Sequence, residues 1–288
     1  MTVKRIFPVL LFGVLGISCR NNNLTVIKHE YMGMDAPGGK AVLFAPGLVS
    51  TGEFAEYGGG FSSNLQEFHF FRDVPGSVRQ VNVMHWVGSG WSDPAEANNS
   101  DRYGNRAHLL ASAAADDPSA FGRGFAYASR IRAAGQNYLR PLEQPDAGRE
   151  GEAEICFAAR KDGGDSDIWY ALKDKTGYTD PISLGDAVNS EADEVTADMS
   201  PDGTFIVFSS NRAGGMGGYD LYASRRSPDG RWLPAVNLGR TVNTKADELY
   251  PHVMPNGAYL LFTKAAEDDA DIFWIDIAAI ASLVFSGI

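Results

Sequence analysis

Glu194–Phe208, with the sequence EVTADMSPDGTFIVF, returns 54 residues later as Glu248–Phe262, with the sequence ELYPHVMPNGAYLLF. The same offset joins three further matched pairs upstream, which are Leu184/Leu238, Gly185/Gly239 and Asn189/Asn243. A repeat of this length, built from short strands and turn residues, is typical of a β-propeller with one blade per repeat. The sequence therefore predicts an all-β fold of the propeller class.

The number of blades follows less directly from the pattern. An aromatic residue shortly before a proline marks four blade boundaries, at Trp91, Tyr138, Tyr178 and Trp232. The segment 98–150 contains no Val and no Thr, and a composition rich in Ala disfavours strands. It is a degenerate blade, an insertion or a disturbed reading frame. We expect one propeller domain over 40–288 with five to six blades, the degenerate one lying in 98–150.

The bulk composition excludes some classes of function. The 288-residue chain has a formal net charge of −11 and no basic stripe, so a nucleic acid is not expected as a partner. Only two cysteines are present, Cys19 and Cys156, which cannot build a disulfide framework or a cysteine-based metal site. We expect no metal, no cofactor and a monomeric protein.

The N-terminus has the features of an export signal. Lys4 and Arg5 precede an apolar stretch at 6–17 that is short for a membrane span. The run Leu15-Gly16-Ile17-Ser18-Cys19 is similar to a bacterial lipobox, in which the cysteine is lipidated. We therefore predict a signal peptide at 1–18, lipidation of Cys19 and a tether at 19–39. An ordinary secretory signal is the alternative.

Several motifs resemble those of the WD40-like β-propeller repeat family, the TolB-type propellers. They are Ser200-Pro201-Asp202-Gly203, Phe208–Arg212, Gly217–Tyr222 and Trp232–Gly239, with Phe44–Gly47 in the first blade and Asp271–Asp276 in the last. The resemblance covers 40–97 and 151–280. It implies six blades, export to the cell envelope and a protein-binding role.

Three glutamates are the candidate binding residues. Glu56, Glu194 and Glu248 each precede the strand expected to be innermost in its blade. The resemblance implies that they lie near one mouth of the central channel. Repeated carboxylates there could bind a cation or a basic group of a partner. Alternatively, they bond to backbone amides within their own blades.

The functional prediction is a non-catalytic binding platform. The chain has no Gly-x-Ser-x-Gly elbow and no His-Glu-x-x-His motif, and its five histidines are scattered singly, so no catalytic residue is assigned. We expect an exported protein, in the periplasm or held on the outer membrane only by its lipid, that binds an envelope protein or a cell-wall component. The alternative is a glycan-acting hydrolase or lyase that uses carboxylates at the channel mouth.

Overall fold

The computed structural model describes residues 31–62, 64–77, 79–97, 128–131, 153–160, 164–174, 177–178, 180–267 and 269–285. These residues form four antiparallel sheets. The first blade contains β2 (Ala55–Phe61), β3 (Glu67–Asp73), β4 (Gln80–His85) and β5 (Ala95–Glu96). The second contains β6 (Ala128–Ile131), β7 (Ala153–Arg160), β8 (Ser166–Asp174), β9 (Gly177–Tyr178) and β10 (Ile182–Ser183).

The repeat found in the sequence forms the other two blades. The third blade contains β11 (Glu194–Met199), β12 (Phe205–Ser210), β13 (Asp220–Arg225) and β14 (Val236–Asn237). The fourth contains β15 (Asp247–Val253), β16 (Tyr259–Ala266), β17 (Asp269–Asp276) and, as its outermost strand, β1 (Val42–Leu43). Two short 3-10 helices, η1 (Gly239–Thr241) and η2 (Ile277–Ala279), and one helix, α1 (Ala281–Phe285), complete the described elements.

The first strand of the chain closes the last blade. Val42 pairs with Trp274, Leu43 pairs with Phe273, and the Phe44 amide donates to the Ile272 carbonyl at 2.7 Å. Residues of the segment 19–39 that the structure describes also contact this blade, because Tyr31 is buried against Trp274. No helix in the described ranges is long and apolar enough to cross a membrane.

The blade count differs from the prediction of five to six. The described residues form four blades. The sequence predicts a degenerate blade in the segment 98–150. Its described part, Ala128–Ile131, instead pairs with β7 and supplies the innermost strand of the second blade. The rest of 98–150 and the predicted signal segment 1–18 lie outside the described residues.

Blades pack face to face through apolar side chains. Every residue of β12 is buried, as expected for a strand covered on both faces. One core cluster lies between the second and third blades, around Phe208, and one between the third and fourth, around Phe262. A third, around Phe68 and Trp274, joins the fourth blade to the first.

Polar side chains fix the relative position of neighbouring blades. Asn189, which precedes the third blade, accepts from the amide of Ile168 at 2.8 Å and donates to its carbonyl at 3.0 Å. Asn243, which precedes the fourth blade, makes the same two bonds with Leu221 at 2.8 and 3.0 Å. Each asparagine thereby attaches its own blade to the third strand of the blade before it.

The glycine-rich loop between β12 and β13 lies against the next blade. The Glu248 amide donates to the Tyr219 carbonyl at 2.7 Å, which draws the two segments together. A Cβ atom on Gly217 would overlap the Ala246 carbonyl oxygen, and that backbone atom cannot rotate away. Glycine is therefore required at Gly217 by the close approach of two backbones.

Replacing Gly217 by alanine should destabilise the protein by about 1–3 kcal/mol, the usual range for overpacking. Urea unfolding would measure the loss. Gly90→Ala is the matched control, because a Cβ there meets no atom within 4 Å and the backbone is not in the left-handed region. An equal effect of the two substitutions would contradict the close approach.

Candidate functional site

The three candidate glutamates occupy equivalent places in their blades. Glu194 is the first residue of β11, while Glu56 and Glu248 are the second residues of β2 and β15. All three are fully buried. We call the end of the propeller at which these innermost strands begin the glutamate end.

A hydroxyl residue just upstream binds each carboxylate of Glu194 and Glu248 in the same way. Ser190 donates its amide to Glu194 Oε2 at 2.9 Å and its hydroxyl to Oε1 at 2.8 Å. Thr244 makes the same bonds to Glu248 at 3.0 and 2.6 Å. The carboxylates therefore hold the loops that lead into their own strands.

The first blade repeats this arrangement with a loop one residue longer. Thr51 donates its hydroxyl to Glu56 Oε1 at 2.8 Å and its amide to Oε2 at 3.3 Å. The arrangement is therefore present in the first, third and fourth blades, and it accommodates a loop that is one residue longer in the first.

A cation from the second strand of the blade, or just beyond it, faces each glutamate. Arg72 Nε lies 3.1 Å from Glu56 Oε1, and Lys264 is the cross-strand neighbour of Glu248. In the third blade Arg212, two residues after β12, lies 2.8 Å from Glu194 Oε1. Glu56 and Glu194 thus form ion pairs inside their blades, as buried charges usually do, while the positive charge of Lys264 acts on Glu248 without such a pair.

Burial shifts the pKa values of two of the glutamates and of one of the cations. It raises the pKa of Glu56 above its ordinary value, and the bonds from Thr51 and the charge of Arg72 only partly oppose it. Burial likewise raises the pKa of Glu248, with opposition from Thr244 and Lys264, and it lowers the pKa of Lys264. These directions show that desolvation outweighs the local partners at both carboxylates.

The contacts of the glutamates agree with the alternative of bonding within the blade. Each carboxylate accepts bonds from its own loop and has a cation beside it. None exposes a carboxylate oxygen to a ligand, because each residue has an exposed fraction of 0%. A binding role for Glu56, Glu194 and Glu248 stays a prediction, and the arrangement gives them a structural role.

Partly exposed aromatic and basic side chains surround the glutamate end. The rings of Tyr57 and Tyr250 meet edge to face with centroids 6.2 Å apart. The Arg79 guanidinium lies 4.1 Å from the centroid of Tyr57 and forms two bonds to Asp73, at 2.7 and 2.8 Å. Burial, and then the charge of Asp73, raises the pKa of the Tyr57 hydroxyl. These four side chains form a surface with both aromatic and charged parts, and the contacts between them fix their positions. We call this surface the Tyr57 cluster.

A pair of side chains from adjacent blades lies further along the innermost strands. Asp198 of β11 and His252 of β15 stand four residues after Glu194 and Glu248, and their contact is 3.0 Å from Oδ2 to Nδ1. The sequence prediction missed this pair because it treated the histidines singly. The repeat offset of 54 residues relates the two positions and could have placed them side by side.

No group of three or more His, Cys, Asp or Glu side chains in the described parts of the chain is arranged to hold a metal ion.

The strand pairing defines the class of the protein as a β-propeller. No protein-family model and no curated protein matches the chain. Among solved structures, it is similar to a putative TolB from Agrobacterium tumefaciens, with 13% identity, a TM-score of 0.38 and coverage of 78% of each chain. A protein of unknown function from Dyadobacter fermentans is 11% identical, with a TM-score of 0.39 and coverage of 82% of this chain and 98% of that one.

The chain is similar to the structure of an enzyme to about the same degree. The endo-arabinase from Bacteroides thetaiotaomicron is 12% identical, with a TM-score of 0.35 and coverage of 73% of this chain and 71% of that one. Identities and TM-scores this low support no statement about activity or partner. The propeller class therefore rests on the strand pairing of this chain.

Replacing Arg212 by alanine should cost about 3–5 kcal/mol of unfolding free energy, because it leaves the buried Glu194 carboxylate without its cation. Denaturant unfolding would measure the change. Arg231→Ala is the control, since Arg231 forms a largely exposed pair with Asp229 and its loss should change stability by less than about 1 kcal/mol. Similar effects at the two arginines would show that the Glu194 pair is not a buried one.

Proposed function

We propose that the protein is a non-catalytic binding platform of the cell envelope, with the Tyr57 cluster at the glutamate end as its binding surface. The observation that supports it is the placement of two tyrosines and an arginine on strands and tight loops of a packed fold. Tyrosine and arginine are enriched among residues that dominate binding energy at protein interfaces. The bidentate bond to Asp73 fixes Arg79, so little side-chain freedom is lost on binding.

The charge of this end favours a partner with basic groups. Each of the four blades has an exposed carboxylate on a loop at this end, and these are Glu53, Asp165, Glu191 and Glu267. The whole chain has a net charge of −11, which also attracts basic partners over longer distances. An envelope protein with a basic surface, or a cell-wall component that carries amino groups, fits this face.

A glycan-acting enzyme is the second function that the sequence left open. A glycosidase needs two carboxyl groups that both reach the substrate. The three glutamates are buried and bonded within their blades, which gives this alternative less support. Substrate turnover by the purified protein that Glu194→Gln abolishes without unfolding would favour the enzyme over the platform.

The double substitution Tyr57→Ala and Arg79→Ala should abolish capture of the partner from a bacterial envelope extract. Both side chains are partly exposed and form one surface, so their loss removes binding area with limited effect on the core. Arg231→Ala is the control, because its exposed loop joins β13 to β14 at the opposite end of the blade. Quantitative pull-down is the measurement. Equal capture by both variants would exclude the Tyr57 cluster as the binding surface.

We also propose that Cys19 carries a lipid that holds the protein on the membrane. Its support is the short apolar segment that directly precedes the cysteine. In cells, Cys19→Ser should move the protein from the membrane fraction to the soluble periplasmic fraction, and mass spectrometry of the wild type should show an acylated N-terminus. Membrane association that survives the substitution, or a wild-type Cys19 without lipid mass, would contradict the anchor.

A further inference from the structure

Two buried histidines lie on one face of the first blade, beside Gly60. His252 extends from the fourth blade, and its ring atoms lie 3.5–3.6 Å from the position that a Cβ of Gly60 would occupy. His69 of β3 is the cross-strand neighbour of Gly60, so its side chain projects from the same face of the sheet. Because Gly60 has no side chain, the face of the sheet from which His69 projects is open beside the His252 ring.

A carboxylate orients each ring. His252 Nδ1 lies 3.0 Å from Asp198 Oδ2, and the same oxygen accepts the Val253 amide at 2.8 Å, which fixes the carboxylate. His69 Nε2 lies 3.3 Å from Glu67 Oε2. A carboxylate oxygen accepts the proton of the nitrogen that faces it, so in the neutral rings the lone pairs are on His252 Nε2 and His69 Nδ1.

Those two nitrogens have no hydrogen-bond partner. Both His252 Nε2 and His69 Nδ1 are buried and unpaired within the described structure. A buried polar atom without a partner costs about 1–3 kcal/mol, and the great majority of such atoms in folded proteins have one. Two buried, unpaired ring nitrogens beside the same glycine point to a ligand that both imidazoles bind.

We propose that His69 and His252 bind a divalent transition-metal ion, such as Zn²⁺, beside Gly60 near the propeller axis. Neutral imidazole suits Zn, Cu, Fe and Ni, whereas Ca²⁺ and Mg²⁺ require oxygen ligands. A metal-bound histidine usually donates its other N–H to a carboxylate or a carbonyl, and both rings have a carboxylate in that position.

The described protein supplies two ligands to this ion. The remaining coordination positions belong to water or to a group of a binding partner, as at zinc sites that keep an open position. The ion would join three blades, because His69 belongs to the first, His252 to the fourth and the orienting Asp198 to the third. The metal site is independent of the Tyr57 cluster, so it goes beyond the proposed binding function.

The test uses the full chain after treatment with a chelator. Titration with Co²⁺ should give one equivalent of binding and the visible absorption bands of a nitrogen-ligated ion, and competition with Zn²⁺ should remove them. His252→Gln and His69→Gln should each weaken binding at least tenfold. Asp198→Asn should weaken it about 10–100-fold, since it changes only the orienting group. The glutamine variants keep polar side chains, and thermal unfolding monitored by circular dichroism verifies that they fold.

Glu96→Gln is the control, since Glu96 is exposed on the outermost strand of the same blade. This variant should bind Co²⁺ as the wild type does. Absence of the absorption bands in the wild type would overturn the proposal and leave an ordered water as the shared partner. Unchanged affinity in both the His69→Gln and His252→Gln variants, or loss in Glu96→Gln alone, would place the ion elsewhere.

Discussion

The arrangement of the blades depends on the side-chain bonds that Asn189 and Asn243 make to the backbone of the preceding blade. The packed faces of neighbouring sheets are joined mainly by apolar side chains, and apolar contact is not directional, so it does not by itself fix their relative position. An asparagine that binds both the amide and the carbonyl of one residue removes that freedom, because its donor and acceptor must reach Ile168 or Leu221 together. Ser50 has the corresponding role for the first blade, bonding to the amide of Ile272 at 3.2 Å and to its carbonyl at 3.3 Å.

The glutamate and cation pairs serve the same purpose at the start of the innermost strands. A buried ion pair adds little net stability, but a buried carboxylate without hydrogen-bond and charge partners is strongly destabilising. Glu194 bonds to both the Ser190 loop and Arg212, so it fixes their positions relative to each other. If the innermost strand were displaced, the buried Glu194 carboxylate would lose these partners. The repeat thus combines an asparagine that positions the blade with a glutamate five residues later that fixes its innermost strand.

The sequence aligned the residues that form these local contacts but did not place the strand that completes the last blade. An offset of 54 residues aligned the glutamates and the asparagines, because each bonds within its own repeat unit or to the one before. It could not assign Val42–Leu43 to the last blade, since a two-residue strand has no periodicity and its partner lies at the other end of the chain. The cations were missed for a related reason, as Arg72 follows Glu56 by 16 residues but Arg212 follows Glu194 by 18.

The innermost strands of the first, third and fourth blades carry different residues at the point where they meet. Four residues beyond the glutamates, the first, third and fourth blades carry Gly60, Asp198 and His252. Identical residues there would set equal side chains against one another, with either repelling charges or no polar contact. A carboxylate, an imidazole and a glycine instead fit together, because the first orients the second and the third leaves it space. A fold built from similar units thereby obtains an asymmetric group of side chains where three of its blades meet.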